Sequence, residues 1–453
     1  MNGLVKSVNK PLFSKLTVFI ICLYVFRLVY CYLSYLRNYQ WLVPSTDESH
    51  IYLLGLRFFT THDFPNWGPD IYWNKTYLVG GLQGFMVGLP LFIWQHPFSP
   101  FLFLYLCLSA GLLYLSWYIT RLFPNVPKWL VYCLIALSPF SVHTGLRVIN
   151  PAYVLCFAIP FMLSYIETLT IFEKQFIKPF WRFFWMGLGI LAVFQLHASW
   201  VFLFILFWTA IIYLFIKKHT IAYLTKAVIF SGLGMLIGFL PLIHVLYHYG
   251  IGVFLNEEKN FQFSWSNISY AGKIIFYFFA QCGYEINSFD NAYRITPVLN
   301  YAHIPGAIIL GIVQIIGFLI FGSELFVLIL KKWKSYLIYY KKFIMLIAGI
   351  LILLIFTYMF SNVPPRSHAN IILYPLSAIY LFWFLNNLFL TTKIKPWFFG
   401  VFASVLVTYY IIILGITNTL PDYGYREKAK DAIEKKDASL FETNRFPYPA
   451  PVR

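Results

Sequence analysis

Apolar runs of roughly twenty residues recur along the whole chain, separated by short polar connectors. A helix needs a run of about that length to cross some 30 Å of hydrocarbon at about 1.5 Å per residue. The pattern predicts spans near 13–36, 78–95, 99–120, 129–146, 151–172, 181–197, 199–216, 224–248, 304–330, 343–361, 370–390 and 397–417. The first run is too long for a cleavable leader and lacks a small-residue cleavage site, so it is expected to persist as a helix. Two polar stretches, about 37–77 and 249–303, are longer than a connector needs. In the tail, 418–453, "GYREKAKDAIEKKDASLFE" mixes both charge signs at helical spacing and predicts a short surface helix. The final "RFPYPAPVR" reads as extended. No internal repeat is evident. The expected fold is an all-α polytopic membrane protein, with residues 1–417 forming the membrane domain and 418–453 a tail.

Composition agrees with the pattern. Of 453 residues, 60% are hydrophobic and 11% charged, against about 25% charged in soluble domains. The net charge of +17 raises a nucleic-acid reading. The basic residues lie instead in clusters between apolar runs, which is the positive-inside pattern of a membrane protein, so no nucleic-acid partner is expected. The clusters are Arg121/Lys128, Lys174/Lys178/Arg182, Lys217/Lys218/Lys226, Lys331 to Lys342 and Lys393/Lys395. Together with Lys6, Lys10 and Lys15 they put 18 Lys and Arg on one side against two Glu, Glu167 and Glu173. The other side carries about 15 Lys and Arg against 14 acids. This asymmetry places 37–77, 249–303 and the tail outside. One count does not close. An odd number of crossings must separate the outside stretch from Arg121, yet two runs lie between them, 78–95 and 99–120. Either one run is re-entrant or a side is misassigned, and the expected total is 11 to 13 helices.

Six cysteines, Cys22, Cys31, Cys107, Cys133, Cys156 and Cys282, fall mostly in apolar runs and show neither a disulfide framework nor metal spacing. The richness in Phe, Tyr, Ile and Lys suggests an AT-rich bacterial genome. The inner membrane is then the expected location, with 37–77 facing the periplasm or exterior.

The first outside stretch contains "STDESHIYLLGLRFFTTHDF". Ser45 followed by Glu48 is a capping-box pattern, and acids at a helix start suit the macrodipole. Ile51, Leu54, Phe58 and Tyr52, Leu56, Phe59 form neighbouring stripes, as in a helix lying in the membrane interface. Capping does not account for Asp47, nor for Asp63, Asn66, Asp70, Asn74 and Lys75 after it. A carboxylate in a low-dielectric cleft near the bilayer surface can take a proton from a hydroxyl, which is general-base chemistry. The residues alone leave both readings open.

An acidic pair opening the first outside loop resembles the GT-C superfamily of membrane glycosyltransferases, such as the protein O-mannosyltransferases and the lipid A aminoarabinose transferases. "ALSPFSVHTGLRVINPAYVLCFAIPFMLSYIETL" is similar to their second outside loop and following helix. "MGLGILAVFQLHASWVFLFILF" resembles their Gly-rich helix ending in a His, and "PPRSHANIILYPLSAIYLFWFL" their late Arg loop. The resemblance implies a GT-C-like bundle with outer-face interfacial helices. It also implies inverting transfer of a sugar from a polyprenyl-phosphate donor to a lipid, glycan or protein hydroxyl. Asp47, with Glu48 beside it, matches the catalytic acidic pair. Arg366 and Arg147, with Arg294 and Lys75 behind them, are the cations expected to face the lipid phosphate. No cofactor is expected. Asn74 and Asn150 stand where the aminoarabinose transferases carry acids, and neutral amides suit a divalent metal poorly.

Other polar residues have structural and functional readings side by side. Arg147 and Asn150 are a snorkelling Arg and a cap before Pro151, or cavity groups. His197, inside an apolar run, is a packing residue or a cavity group. His368 sits beside Arg366 on the outer side. Asp63, Asp70 and Asn74 are expected to line the same cavity. Arg27 and Glu324 should face the protein interior. His143, His244 and His248 lack metal-site spacing. "NKT" at Asn74 and "NIS" at Asn267 fit an N-glycosylation pattern. A lipid-linked glycan polymerase or ligase would rely on outer-loop Arg and His rather than on Asp47. A lipid or glycan transporter would show symmetric repeats and broken helices at the midplane.

Overall fold

The computed structural model describes residues 14–37, 47–71, 76–145, 147–251, 263–280, 333–361, 367–391, 395–417 and 425–441. Arg294, Arg366, Asn74, Lys75, Ser45, Glu324 and the run 304–330 lie outside these residues. The chain begins with α1 (Lys15–Arg37), α2 (Asp47–Thr61), a hairpin of β1 (Trp67–Ile71) and β2 (Thr76–Val79), and α3 (Leu82–Ile93). There follow α4 (Ser99–Leu122), α5 (Lys128–Leu137), α6 (Pro139–Thr144), α7 (Asn150–Thr168), α8 (Pro179–Leu196), α9 (Trp200–Ile216) and α10 (Ile221–Tyr249). A 3-10 turn (Trp265–Tyr270) leads into α11 (Ala271–Ala280). Then come α12 (Trp333–Met359), α13 (Tyr374–Thr391), α14 (Trp397–Thr417) and the tail helix α15 (Tyr425–Glu434).

Among the described residues, seven helices are long and apolar enough to cross a membrane, and four shorter apolar helices accompany them. The chain is therefore a helical, multi-pass membrane protein. Two expected spans are corrected. The run 78–95 is not one helix: Thr76–Val79 pairs antiparallel with Trp67–Ile71, and α3 has only 12 residues. At about 1.5 Å per residue such a helix covers about 18 Å, short of the hydrocarbon core. Only α4 is then long enough to cross between the acidic pair and Arg121, which is the odd count the charge pattern demands. The run 129–146 breaks at Ser138, whose ψ of 132 is extended as expected before a proline.

The break leaves carbonyls that need donors at membrane depth. The Ser141 hydroxyl donates to the Ile135 carbonyl at 2.7 Å, Tyr374 to the same oxygen at 3.1 Å, and Tyr410 to Leu137 at 2.6 Å. Arg27, 1% exposed on α1, gives Nη2 to the Ser141 carbonyl at 2.6 Å and lies 5.0 Å from the Tyr105 ring centroid. The expected inward-facing Arg27 is thus bound to the broken helix.

Small residues set the closest helix contacts, as in other membrane bundles. α2 and α3 run side by side in the same direction, with Gly55 against Val87 and Gly88. α8 and α10 meet through Gly187 against the Ser231 carbonyl, Gly234 against the Phe184 carbonyl and Gly238 against Leu191. A Cβ at Gly187 or Gly234 meets backbone, which cannot yield. Gly234→Val is expected to lower stability by about 1–3 kcal/mol or more. Gly232→Ala, on the same helix with nothing within 4 Å, should lose nothing and gain helix propensity. Thermal unfolding in detergent compares the two.

The bundle has two ends that sort by charge. At one, Trp117 meets Phe176, Phe123 meets Phe172, Phe172 meets Phe343, and Lys226 lies over Phe180. Among the described residues, this end carries the basic connectors of Arg121, Arg182, Lys217 and Lys226. At the other, Tyr52 packs on Phe441 of the tail, Trp67 on Tyr249, and the Tyr52 hydroxyl bonds the Pro97 carbonyl. Here the tail helix expected from the charge pattern docks on α2, with Ala429, Ala432 and Ile433 on its buried side. Burial and the nearby Lys430 hold His96 below its usual range. The NIS reading at Asn267 is corrected. Its side chain is buried and donates Nδ2 to the Tyr358 and Ser361 carbonyls at 3.0 and 2.7 Å, leaving no free amide for a glycan.

Candidate functional site

α2 starts at Asp47, so the acidic pair occupies its first turn. The backbone of Asp47 is described and its side chain is not. Glu48 is 1% exposed, and its Oε1 accepts the Val148 N–H at 2.8 Å. That bond joins α2 to the loop between α6 and α7 across 100 residues. Arg147, in the same loop, is buried. Asn150 opens α7 and donates Nδ2 to the Leu196 carbonyl at 3.2 Å, in the last turn of α8. His197 ends α8 with extended backbone, and its Nδ1 accepts the Ser199 N–H at 3.1 Å and meets the Ser199 hydroxyl at 2.9 Å. Because Nδ1 accepts a backbone N–H, the neutral ring carries its proton on Nε2.

These contacts link the start of α2, the α6–α7 loop, the start of α7 and the end of α8 at one end of the bundle. Four expected site positions, Glu48, Arg147, Asn150 and His197, belong to that junction, and Asp47 adjoins it through Glu48. The burial of Glu48 and its backbone bond tie the first turn of α2, which carries Asp47, to the loop at Val148. Glu48→Ala would strand the buried Val148 N–H, and a loss of about 1–3 kcal/mol is expected. Glu48→Gln keeps an acceptor oxygen and should lose less; both are read by thermal unfolding.

Other expected residues lie elsewhere. Asp63 is exposed in the loop after α2, one helix length from the acidic pair, and lines a separate cavity with Asn66. Asp70 sits in β1 opposite Tyr77; its side chain, like those of His368 and His143, is outside the described set. His244 bonds Asn66 Oδ1 through Nδ1 at 2.7 Å, and His248 meets His244 at 3.2 Å between their Nε2 atoms. Among the described residues, no group of three His, Cys, Asp or Glu is placed to hold a metal ion.

Two residues at this end carried no sequence signal. His50 is buried one turn into α2 and stacks on Tyr77 of the hairpin, 5.8 Å between ring centroids. Gln195 ties three elements. It donates Nε2 to the Gly238 carbonyl at 2.7 Å, and its main-chain carbonyl oxygen lies 2.7 Å from where a Cβ on Gly68 would stand. Its side chain also fills the space beside Gly80, just after β2, where φ is +120, so the hairpin can rest on α8 only because these positions are glycine.

No protein-family model, curated protein or solved structure matches this chain. The site's own residues and geometry therefore carry the functional reading.

Proposed function

We propose that the protein is an inverting glycosyltransferase that draws on a polyprenyl-phosphate-linked sugar at the acidic-pair end of the bundle. The observation that carries this reading is the Glu48–Val148 bond. It holds the turn of Asp47 against the loop of Arg147 and, through Asn150, against the end of α8. In the proposed step Asp47 takes the proton of an acceptor hydroxyl as that oxygen bonds to the anomeric carbon. The bond from that carbon to the phosphate oxygen breaks, and the electron pair leaves with the polyprenyl phosphate. A single displacement inverts the anomeric centre. Arg147 and Arg366 are the cations proposed to meet the leaving phosphate. The membrane supplies the donor lipid in the plane of the bundle. The acceptor, a lipid, glycan or protein, is taken at the same end, proposed to face the periplasm or exterior of a bacterial inner membrane.

The broken α5–α6 helix raises the transporter reading, since transporters bind cargo at such breaks. Here Arg27, Ser141, Tyr374 and Tyr410 occupy the carbonyls of the break, which favours a structural role. The test is direct. Purified protein in nanodiscs is given labelled polyprenyl-phosphate sugars, and release of polyprenyl phosphate is followed together with label on acceptors. Release that depends on Asp47 supports the transferase. Absence of release with every donor, together with movement of lipid-linked sugar across vesicles, overturns it.

A further inference from the structure

After Thr61 the chain folds back, and the loop 62–66 with Trp67 lines one wall of a cavity of about 460 Å³ whose other wall is α2 from Leu54 to Thr61. Tyr249, at the end of α10, and the turn Lys436–Ser439 of the tail complete it. The size falls within the usual range for small-molecule sites, about 300–1,000 Å³. Its charges balance, with Arg57 and Lys436 against Asp63 and Asp437. The Asp437 carboxylate, held below its usual range by the Ser439 hydroxyl and N–H, stays charged across the neutral range. Trp67, Tyr249 and Phe64 give it aromatic surface. Trp67 is itself buried, and its indole N–H is the one buried side-chain polar atom of the lining that has no hydrogen-bond partner. Asn66 is oriented by His244.

A strongly charged ligand would leave one pair of these charges uncompensated, and a purely apolar one would cover charged side chains without bonding to them. A neutral polyol offers apolar C–H faces to aromatic rings and hydroxyls to carboxylate, amide and guanidinium groups. We infer that this cavity is a saccharide subsite, and that it holds a neutral sugar unit of a glycan acceptor whose reacting end lies toward Asp47. The inference rests on the transferase reading for the acceptor's role, and on the cavity alone for sugar binding. α2, 15 residues or about 22 Å long, separates the two places, and its residues 48–56 are buried, so the acceptor would carry several sugar units that pass around the helix rather than along its face.

The test uses the full chain in nanodiscs with maltotriose, cellotriose and chitotriose as neutral probes and an oligogalacturonate as the acidic one. Saturation-transfer NMR reports binding. At least one neutral trisaccharide should bind. Trp67→Phe and Asp63→Asn should each weaken it about tenfold or more, while Asp47→Asn leaves it unchanged. Asp63 is exposed, so its variant stays informative if Trp67→Phe fails to fold. Failure of all neutral probes, preference for the acidic probe, or binding indifferent to both variants overturns the subsite. In the transfer assay the same variants should raise acceptor KM more than they lower kcat. Transfer that needs Asp47 but ignores Trp67 and Asp63 sinks the subsite and spares the transferase. Sugar binding that needs Trp67, with no Asp47-dependent transfer, does the reverse.

Discussion

Asp47→Asn is expected to lower the turnover of sugar transfer by about 10²–10⁴-fold, the usual contribution of a positioned general base. That is about 3–5.5 kcal/mol of barrier at about 1.36 kcal/mol per decade. The size of the loss separates the two readings of the acidic pair. If Asp47 serves only the start of α2, its value is the interaction of one carboxylate with a helix N-terminus, about 0.3–1 kcal/mol. Asn is itself well tolerated at helix starts. The substitution should then leave both the unfolding temperature and turnover nearly untouched. A catalytic Asp47 predicts a stable protein with turnover down by several decades and donor binding retained. The measurement is kcat with labelled donor, alongside thermal unfolding of the same preparation. A drop of less than tenfold in kcat would remove Asp47 as the base. Glu48→Gln is the companion variant. It disturbs the neighbouring carboxylate with its backbone bond still possible, so a general electrostatic effect of the acidic turn would appear there too.

The parts of the fold that could be read from the sequence are those set by periodicity and charge. α2 and the tail helix follow from local patterns, and the sorting of connectors into two ends follows from the placement of Lys and Arg. The break in the run 129–146 had a local signal, Ser138 before Pro139, but the residues around it are apolar enough to read as one span. The hairpin hides better. "WGPDI" carries a Gly and a Pro, poor strand residues, and "TYLV" continues smoothly into the apolar start of α3. Its existence depends on Gly68 and Gly80 resting on Gln195, more than a hundred residues away.

The site was legible in residue type and not in pairing. The sequence assigns Glu48 to a local capping box; the fold instead gives it a buried bond to the Val148 backbone, a hundred residues away. Asn150 reads as a cap or a cavity group, and its amide joins α7 to α8. Such bonds between distant backbone groups leave no periodic trace. The same holds for the cavity at the far end of α2. It is assembled from the loop after α2, the last residue of α10 and the tail turn, which no spacing rule connects.

A second large effect is expected at the opposite end of the molecule. Glu167 and Arg182, the last helical turn of α7 and the first of α8, form a buried ion pair at 3.1 Å with side-chain exposures of 1% and 6%. Glu167 also accepts the N–H groups of Phe176 and Ile177 at 2.7 and 2.9 Å. Arg182 donates to the Ile177 and Glu167 carbonyls at 2.8 and 3.2 Å. The connector between the helices is thus held from both sides. Removing one partner of a buried pair costs about 3–5 kcal/mol, because the other charge is left in low dielectric. Glu167→Ala should cost the most, since it strands a cation and two backbone donors together. Arg182→Ala should cost less, because the Glu167 carboxylate keeps its two N–H bonds. The double variant should lose less than the sum of the singles, the signature of direct coupling. Unfolding in detergent measures all three, and a Glu167→Ala loss under about 1 kcal/mol would show that the pair contributes little. The consequence reaches the site through geometry. The α7–α8 pair is pinned here at one end and by Asn150 and Leu196 at the other. Loosening the ion pair should therefore lower the temperature at which the proposed transfer is lost, while leaving kcat of the folded protein near its original value.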